Sequence, residues 1–161
     1  MELYLLRHAM AEERSATGRD SDRVLTPEGI ARLQCVLDLA RDAGVRPSLI
    51  LSSPYARAKQ TAQIAARTLD YNGAVLHSRA FAPDSSPFRA WEEVRVHDGE
   101  PSLLVAAHEP LLSSTVAWFA GSTREMIRFV PAALVRIDFE ALGPHPEGVM
   151  RWMISPDLVA R

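Results

Sequence analysis

Residues 3–13 read LYLLRHAMAEE, and the fold turns on how that stretch is read. Leu3 to Leu6 are apolar without alternation. A strand with one wet face alternates, whereas one apolar on both faces lies inside a parallel sheet covered on both sides. This strand then presents Arg7 and His8 side by side at its carboxyl end. Open α/β sheets bind their ligands outside that end.

Working outward, the same unit recurs. PSLILSSPYARAKQTAQIAARTL (47–69) reads as a short apolar strand, a Ser-Ser-Pro turn and an Ala-rich helix from about Tyr55. SLLVAAHEPLLSSTVAWFA (102–120) is again a strand running into a helix, with Pro110 at the first helical position. GAVLHSRAF (73–81) gives a third strand, and SSPFRAWEEVRVHDG (85–99) a helix capped by Ser86 with Phe88, Trp91 and Val94 on one face. Before these, the polar EERSATGRDSDR (12–23) is too long and too charged for a tight turn. Such loops in compact domains are functional or mobile. Thr26 then caps a helix with Pro27 at its first position; Ile30, Leu33, Leu37 and Ala40 form its buried stripe, and Gly44 ends it. LVRIDFE (134–140) and GVMRWMI (148–154) alternate around LGPHPEG (142–148), as an antiparallel edge hairpin does. Alternating strands and helices predict an α/β fold: a three-layer α/β/α sandwich on a mainly parallel sheet.

The chain has 161 residues, 47% of them hydrophobic and 24% charged, with a formal net charge of -2. That length suits one domain spanning 1–161. The charge balance excludes the basic excess of a nucleic-acid binder. No apolar run reaches the length of a membrane span, and the N-terminus lacks the layout of a signal peptide. Cys35 has no second cysteine to pair with. A cytoplasmic protein is expected, with neither nucleic acid nor membrane as partner.

In this fold Arg7 and His8 follow the first strand, Arg57 the second and His108 the fourth. Arg57 falls in the first turn of its helix, where the dipole opposes a cation. A cation makes sense there if an anion lies between it and the helix end, as phosphate does. A guanidinium matches phosphate oxygens two at a time. Each such contact is worth ~4 kcal/mol before desolvation at an effective dielectric near 20. A neutral imidazole, with reference pKa about 6.5, can attack phosphorus and form a phosphoimidazole that water hydrolyses. His108 would donate to the equatorial oxygens. No metal ligand set and no nucleotide cradle stands out, so no cofactor is expected. Taken singly, an Arg-His pair or a lone His at a strand end is ordinary surface. Three strand ends carrying all four residues form a joint pattern.

LRHA (6–9), SSPYARAKQTA (52–62) and AAHEP (106–110) resemble the histidine phosphatase superfamily, with its RHG motif, its S-P-x-x-R-x-x-Q-T segment and a later G-H or S-H. LYLLRHAMAEE, DSDRVLTPEGI (20–30) and RWMISP (151–156) are similar to the small SixA-type phosphohistidine phosphatases, and the likeness runs from Met1 to about Pro156. The resemblance implies a phosphoglycerate-mutase-like fold, transient phosphorylation of His8, and a phosphate pocket of Arg7, Arg57 and His108. It further implies a site open enough for a phosphorylated protein, such as a histidine-phosphotransfer domain or a component of a phosphotransfer system. Two departures stand out. Ala9 and Ala107 replace small glycine-type positions, which is harmless where φ is negative.

Relatives that cleave phosphate esters need a carboxylic acid to protonate the alkoxide. Asp84 falls in about the right region, with Glu92 and Glu93 on the next helix, but none lies in a matching motif. Asp84 reads more readily as a solvated loop or cap residue. Phosphohistidine demands less of such an acid, because imidazole leaves neutral once protonated. The expected function is therefore hydrolysis of a phosphorylated protein histidine. A phosphatase of small phosphate esters is the enzyme alternative, and a phospho-ligand binding module with little turnover the non-enzymatic one. Cys35 to Arg41 spells C-x5-R, but inside an amphipathic helix whose N–H groups are already used; a core cysteine is the better reading. Asp20 and Asp22 read as solvated loop charges, and His77, His97 and His145 as scattered surface residues.

Overall fold

The computed structural model describes residues 1–122 and 127–159. Eleven segments follow in order: β1 (Glu2–Arg7), α1 (Pro27–Asp42), β2 (Leu49–Ser52), α2 (Ala56–Thr68), β3 (Leu76–His77), α3 (Pro87–Arg95), β4 (Ser102–Ala107), α4 (Leu111–Phe119), β5 (Leu134–Phe139), β6 (Gly148–Ile154) and α5 (Pro156–Val159). Six strands form one sheet in the order β3-β2-β4-β1-β5-β6. β3, β2, β4 and β1 pair in parallel, while β5 runs antiparallel to both β1 and β6. The mainly parallel sheet with its antiparallel edge pair is thus as the sequence predicts.

The unbroken apolarity of β1 has its cause in the layers. Leu3 and Leu5 pack with Trp91, Val94, Leu112 and Phe119 of α3 and α4. Tyr4 and Leu6 pack with Leu33, Leu37, Ala62 and Ala65 of α1 and α2. Both pleat faces are therefore dry, and all four residues are buried. β1 and β4 run in register, Leu6 beside Ala106 and Arg7 beside Ala107, so His8 and His108 leave the sheet at one level. Ser52 lies beside Ala106, which brings the turn before α2 to the same rim.

Several local expectations need correction. Ile30 is 42% exposed; the buried face of α1 is Gly29, Leu33, Val36, Leu37 and Ala40. Gly29 takes the first-turn position because its backbone lies against Met10, and this turns Ile30 outward. Phe88 is 59% exposed, while Ala90, Trp91 and Val94 carry the buried face of α3. Phe88 rests against Trp118 with ring centroids 6.5 Å apart. The third strand shrinks to two residues, because the Ser78 hydroxyl accepts the Ala80 N–H and starts a 3-10 turn at Arg79–Phe81. Pro110 sits one position before α4, as its N-cap. Cys35 is exposed on the outer face of α1, not in the core.

Thr26 does cap α1, its hydroxyl accepting the Gly29 N–H, and Gly44 follows the helix with φ +87°. The described non-glycine residues with positive φ are Asp70 and Ala132, so Ala9 and Ala107 sit without strain. No helix among the described residues is long and apolar enough to cross a membrane.

Candidate active site

The carboxyl ends of β1, β2 and β4 bring Arg7, His8, Arg57 and His108 together. His8 and His108 face each other with ring centroids 5.0 Å apart. Arg57, 5% exposed at the second position of α2, donates from Nε to His8 Nε2 over 3.3 Å. On its other side His8 Nδ1 lies 2.8 Å from the Ala9 carbonyl. A carbonyl only accepts, so Nδ1 carries the hydrogen and Nε2 the lone pair. The two contacts specify one tautomer, with the free lone pair directed at a guanidinium.

Burial dominates the electrostatics of both rings. His8 is pushed down to about 4, burial being the main cause; the bond to Ala9 opposes it, and Arg57, Arg7 and Arg23 reinforce it. His108 is pushed down to about 2 by burial, then by His8 and Arg57. Both rings are therefore neutral near pH 7, the state a nucleophile needs. Arg7 is also lowered, chiefly by burial, with Glu109 opposing and Arg128 reinforcing.

Ser53 determines the role of His108. Its Oγ lies 2.7 Å from His108 Nε2 and accepts the Tyr55 N–H at 3.3 Å. Among the described residues the hydroxyl has no other acceptor, so its hydrogen goes to Nε2, which leaves Nδ1 of His108 as a donor. That Nδ1 is buried and has no partner among the described residues; the same holds for Arg7 Nε. Buried donors are seldom left unpaired. A group with acceptor oxygens, placed beside His8, would satisfy both.

The segment from Ser53 to Thr61 assembles this rim residue by residue. Thr61 Oγ1 accepts the Ala9 N–H at 3.2 Å and donates to the Arg57 carbonyl at 2.8 Å, tying the end of β1 to α2. Gln60 Oε1 accepts the Leu25 N–H at 2.7 Å and so fastens the far end of the polar loop. Tyr55 lies under the Arg57 guanidinium, 5.0 Å from ring centroid to Cζ, and edge-on to His108 at 5.2 Å. Glu109 Oε1 accepts from Ser113 Oγ at 2.7 Å and from the Phe129 N–H at 3.0 Å. The Phe129 carbonyl in turn accepts from Arg7 Nη1 at 2.6 Å.

Sequence reasoning gave Ser53, Gln60 and Thr61 no role, although all three stand in the segment that carries the resemblance. Asp20 is exposed, its side chain to 57%, as a solvated loop charge is, and its carbonyl and Oδ2 also accept from Arg57 Nη1 and Nη2 at 2.8 and 3.1 Å. Asp22 is bound within its own loop by Thr17 and Ser21. Asp84 lies apart from the four. It is 69% exposed and pairs with Arg79 at 3.6 Å. It lines a groove of about 470 Å³ that also takes in Glu92 and Glu93 but none of Arg7, His8, Arg57 or His108. His77 and His145 are exposed, and His97 lies 3.7 Å from Glu93. Among the described residues no group of three or more His, Cys, Asp or Glu could hold a metal ion.

Known proteins are similar to this chain to different extents. The sequence model of the histidine phosphatase superfamily (branch 1) matches residues 3–79. An uncharacterized protein of Picosynechococcus is 32% identical over 160 residues, covering 97% of both chains. The phosphohistidine phosphatase SixA of Escherichia coli is 27% identical over 159 residues, 97% of this chain and 94% of its own. Among solved structures, the protein histidine phosphatase SixA complexed with tungstate superposes with a TM-score of 0.87 at 23% identity, over 98% of this chain and 99% of that one.

Proposed function

From the premise that the chain belongs to the histidine phosphatase superfamily, we propose that it removes the phosphoryl group from a phosphorylated histidine of a protein, with His8 as nucleophile. The observation that carries this reading is the His8 tautomer: Nδ1 is spent on the Ala9 carbonyl, and the Nε2 lone pair faces Arg57. In the first step that lone pair attacks phosphorus while the bond to the departing nitrogen breaks; the substrate ring, with a proton already on its other nitrogen, keeps the bonding electron pair and leaves as neutral imidazole. Water then attacks phospho-His8; the second P–N bond breaks, orthophosphate is released and Nε2 regains its lone pair. Arg7, Arg57 and the Nδ1–H of His108 neutralise the equatorial oxygens throughout. This chemistry requires no metal.

Two features favour a phosphohistidine protein over a small ester. SixA matches this chain over nearly the full length of both, without room for large covering insertions. The carboxylate that grips Arg57, Asp20, is held below the usual range by Arg23 and then by Arg57, which leaves it unsuited to protonating an alkoxide.

The test compares phosphate release from a phosphorylated histidine-phosphotransfer domain, p-nitrophenyl phosphate and sugar phosphates. The phosphoprotein is expected to lead in kcat/KM by a wide margin, and a brief pulse should leave an acid-labile label on His8. A lead for the esters overturns the substrate class. Absence of any label or turnover points to the binding-module alternative.

A further inference from the structure

Asp20 stands at the head of a 3-10 turn (Asp20–Asp22) in the polar loop between β1 and α1. Its grip on Arg57 has two points, the backbone carbonyl on Nη1 at 2.8 Å and Oδ2 on Nη2 at 3.1 Å. The other carboxylate oxygen, Oδ1, accepts from Arg23 Nη1 at 2.8 Å. A guanidinium offers two forks, an end fork of Nη1 and Nη2 and a side fork of Nε and Nη2. Asp20 occupies the end fork. The side fork therefore faces the nucleophile, with Nε 3.3 Å from His8 Nε2. Because Nη2 has two hydrogens, a phosphoryl group can take the side fork while Asp20 keeps the end fork.

We propose that Asp20 is a positioning residue which holds the Arg57 guanidinium in the rotation that presents its side fork to the phosphoryl group, making the polar loop part of the phosphate clamp. The inference rests on the reading that Arg57 binds that group. The loop is built to serve as a strap. Its base is closed by the Ala11–Leu25 bridge and by the bond between Glu12 N–H and the Val24 carbonyl. Gln60 fastens Leu25, and Arg23 Nε binds the Glu12 carbonyl at 2.5 Å. Arg23 also offsets the charge of Asp20, so the Arg23–Asp20–Arg57 trio keeps a net positive charge toward an anion. Asp20 itself is a poor acid: Arg23 first, then Arg57, hold its carboxyl below the usual range against the opposing effect of partial burial.

The test titrates tungstate, as a phosphate mimic, into the wild type and the variants D20A, D20N and R57A, with p-nitrophenyl phosphate kinetics alongside. Misplacing a catalytic group by about 1 Å can cost roughly 10²-fold, so D20A is expected to weaken tungstate and lower kcat/KM by about tenfold or more. D20N, which keeps both acceptors for Arg57, is expected to recover most of both losses. Tungstate bound by D20A as tightly as by the wild type, or more tightly, overturns the proposal, because Asp20 is then a bystander or a competitor. Equal losses in D20A and D20N also overturn it, since charge rather than position would be responsible. If the wild type binds tungstate no better than R57A, the phosphate-site reading fails instead. Should D20A not fold, R23A, which removes the second anchor of the same carboxylate, is expected to show a smaller loss of the same kind; unchanged tungstate affinity in R23A and D20N together counts against the proposal.

Discussion

His8 owes its chemistry to two contacts that leave it one tautomer, and His108 owes its own to a serine. His8→Ala is expected to abolish turnover and the acid-labile label, and near-normal phosphate release by that variant ends the mechanism. Losing one preorganised donor at a developing charge costs about 10²–10³ in kcat, which is the loss expected for His108→Ala with KM little changed. Ser53→Ala should fall short of that, because Nδ1 of His108 remains but is no longer committed to being the donor. Steady-state kinetics separates the cases: a Ser53→Ala effect confined to KM would contradict the tautomer argument. Asp84→Asn, on an exposed side chain paired with Arg79, is expected to leave activity on both substrate types unchanged. A selective loss on esters would restore Asp84 as the acid.

At the scale of elements, the rim depends on how closely α1 approaches the chain that leaves β1. A Cβ at Gly29 would meet the Met10 carbonyl oxygen at 2.3 Å and its nitrogen at 2.9 Å. Backbone cannot swing aside as a flexible side chain can, so Gly29→Ala is expected to cost about 1–3 kcal/mol of stability, the usual range for overpacking. Thr26→Ala, which removes the cap and a long 3.4 Å bond from the hydroxyl to the Met10 carbonyl, should cost about 1 kcal/mol. Urea denaturation measures both, and a Gly29→Ala midpoint equal to that of the wild type would show that the helix shifts freely. Since Thr26 also donates its N–H to the Met10 carbonyl at 2.9 Å, Gly29→Ala should lower activity as well as stability.

For the whole molecule, two imidazoles buried neutral make stability depend on pH. Their folded values lie at about 4 and about 2, below the ordinary 6.5. Between 6.5 and about 4 the unfolded chain binds protons that both folded rings refuse, so stability falls as the pH is lowered through that window and is unaffected above it. Each ring contributes a slope of up to about 1.4 kcal/mol per pH unit. Denaturation at a series of pH values should show this decline in the wild type and a shallower one in His8→Asn; parallel curves would mean that the His8 ring is not buried neutral.

Much of this architecture is local in origin and so legible in the linear order of residues. Unbroken apolar runs in β1 and β4, Thr26-Pro27 and Ser86-Pro87 at helix starts, and alternation in β5 and β6 each reflect a period or a cap within a few positions. The strand ends then carry Arg7, His8, Arg57 and His108 to one rim, because parallel strands in register must end together. What needed the tertiary structure was everything decided by a partner far along the chain. Asp20 meets Arg57 across 37 positions and Ser53 meets His108 across 55, pairings with no periodic signature. Ile30 and Phe88 fit their helical stripes and still face solvent, since a stripe says which side is apolar but not how close the neighbouring backbone comes. Residue order thus set which groups reach the rim, and long-range packing chose the tautomer, the fork and the strap that orient them.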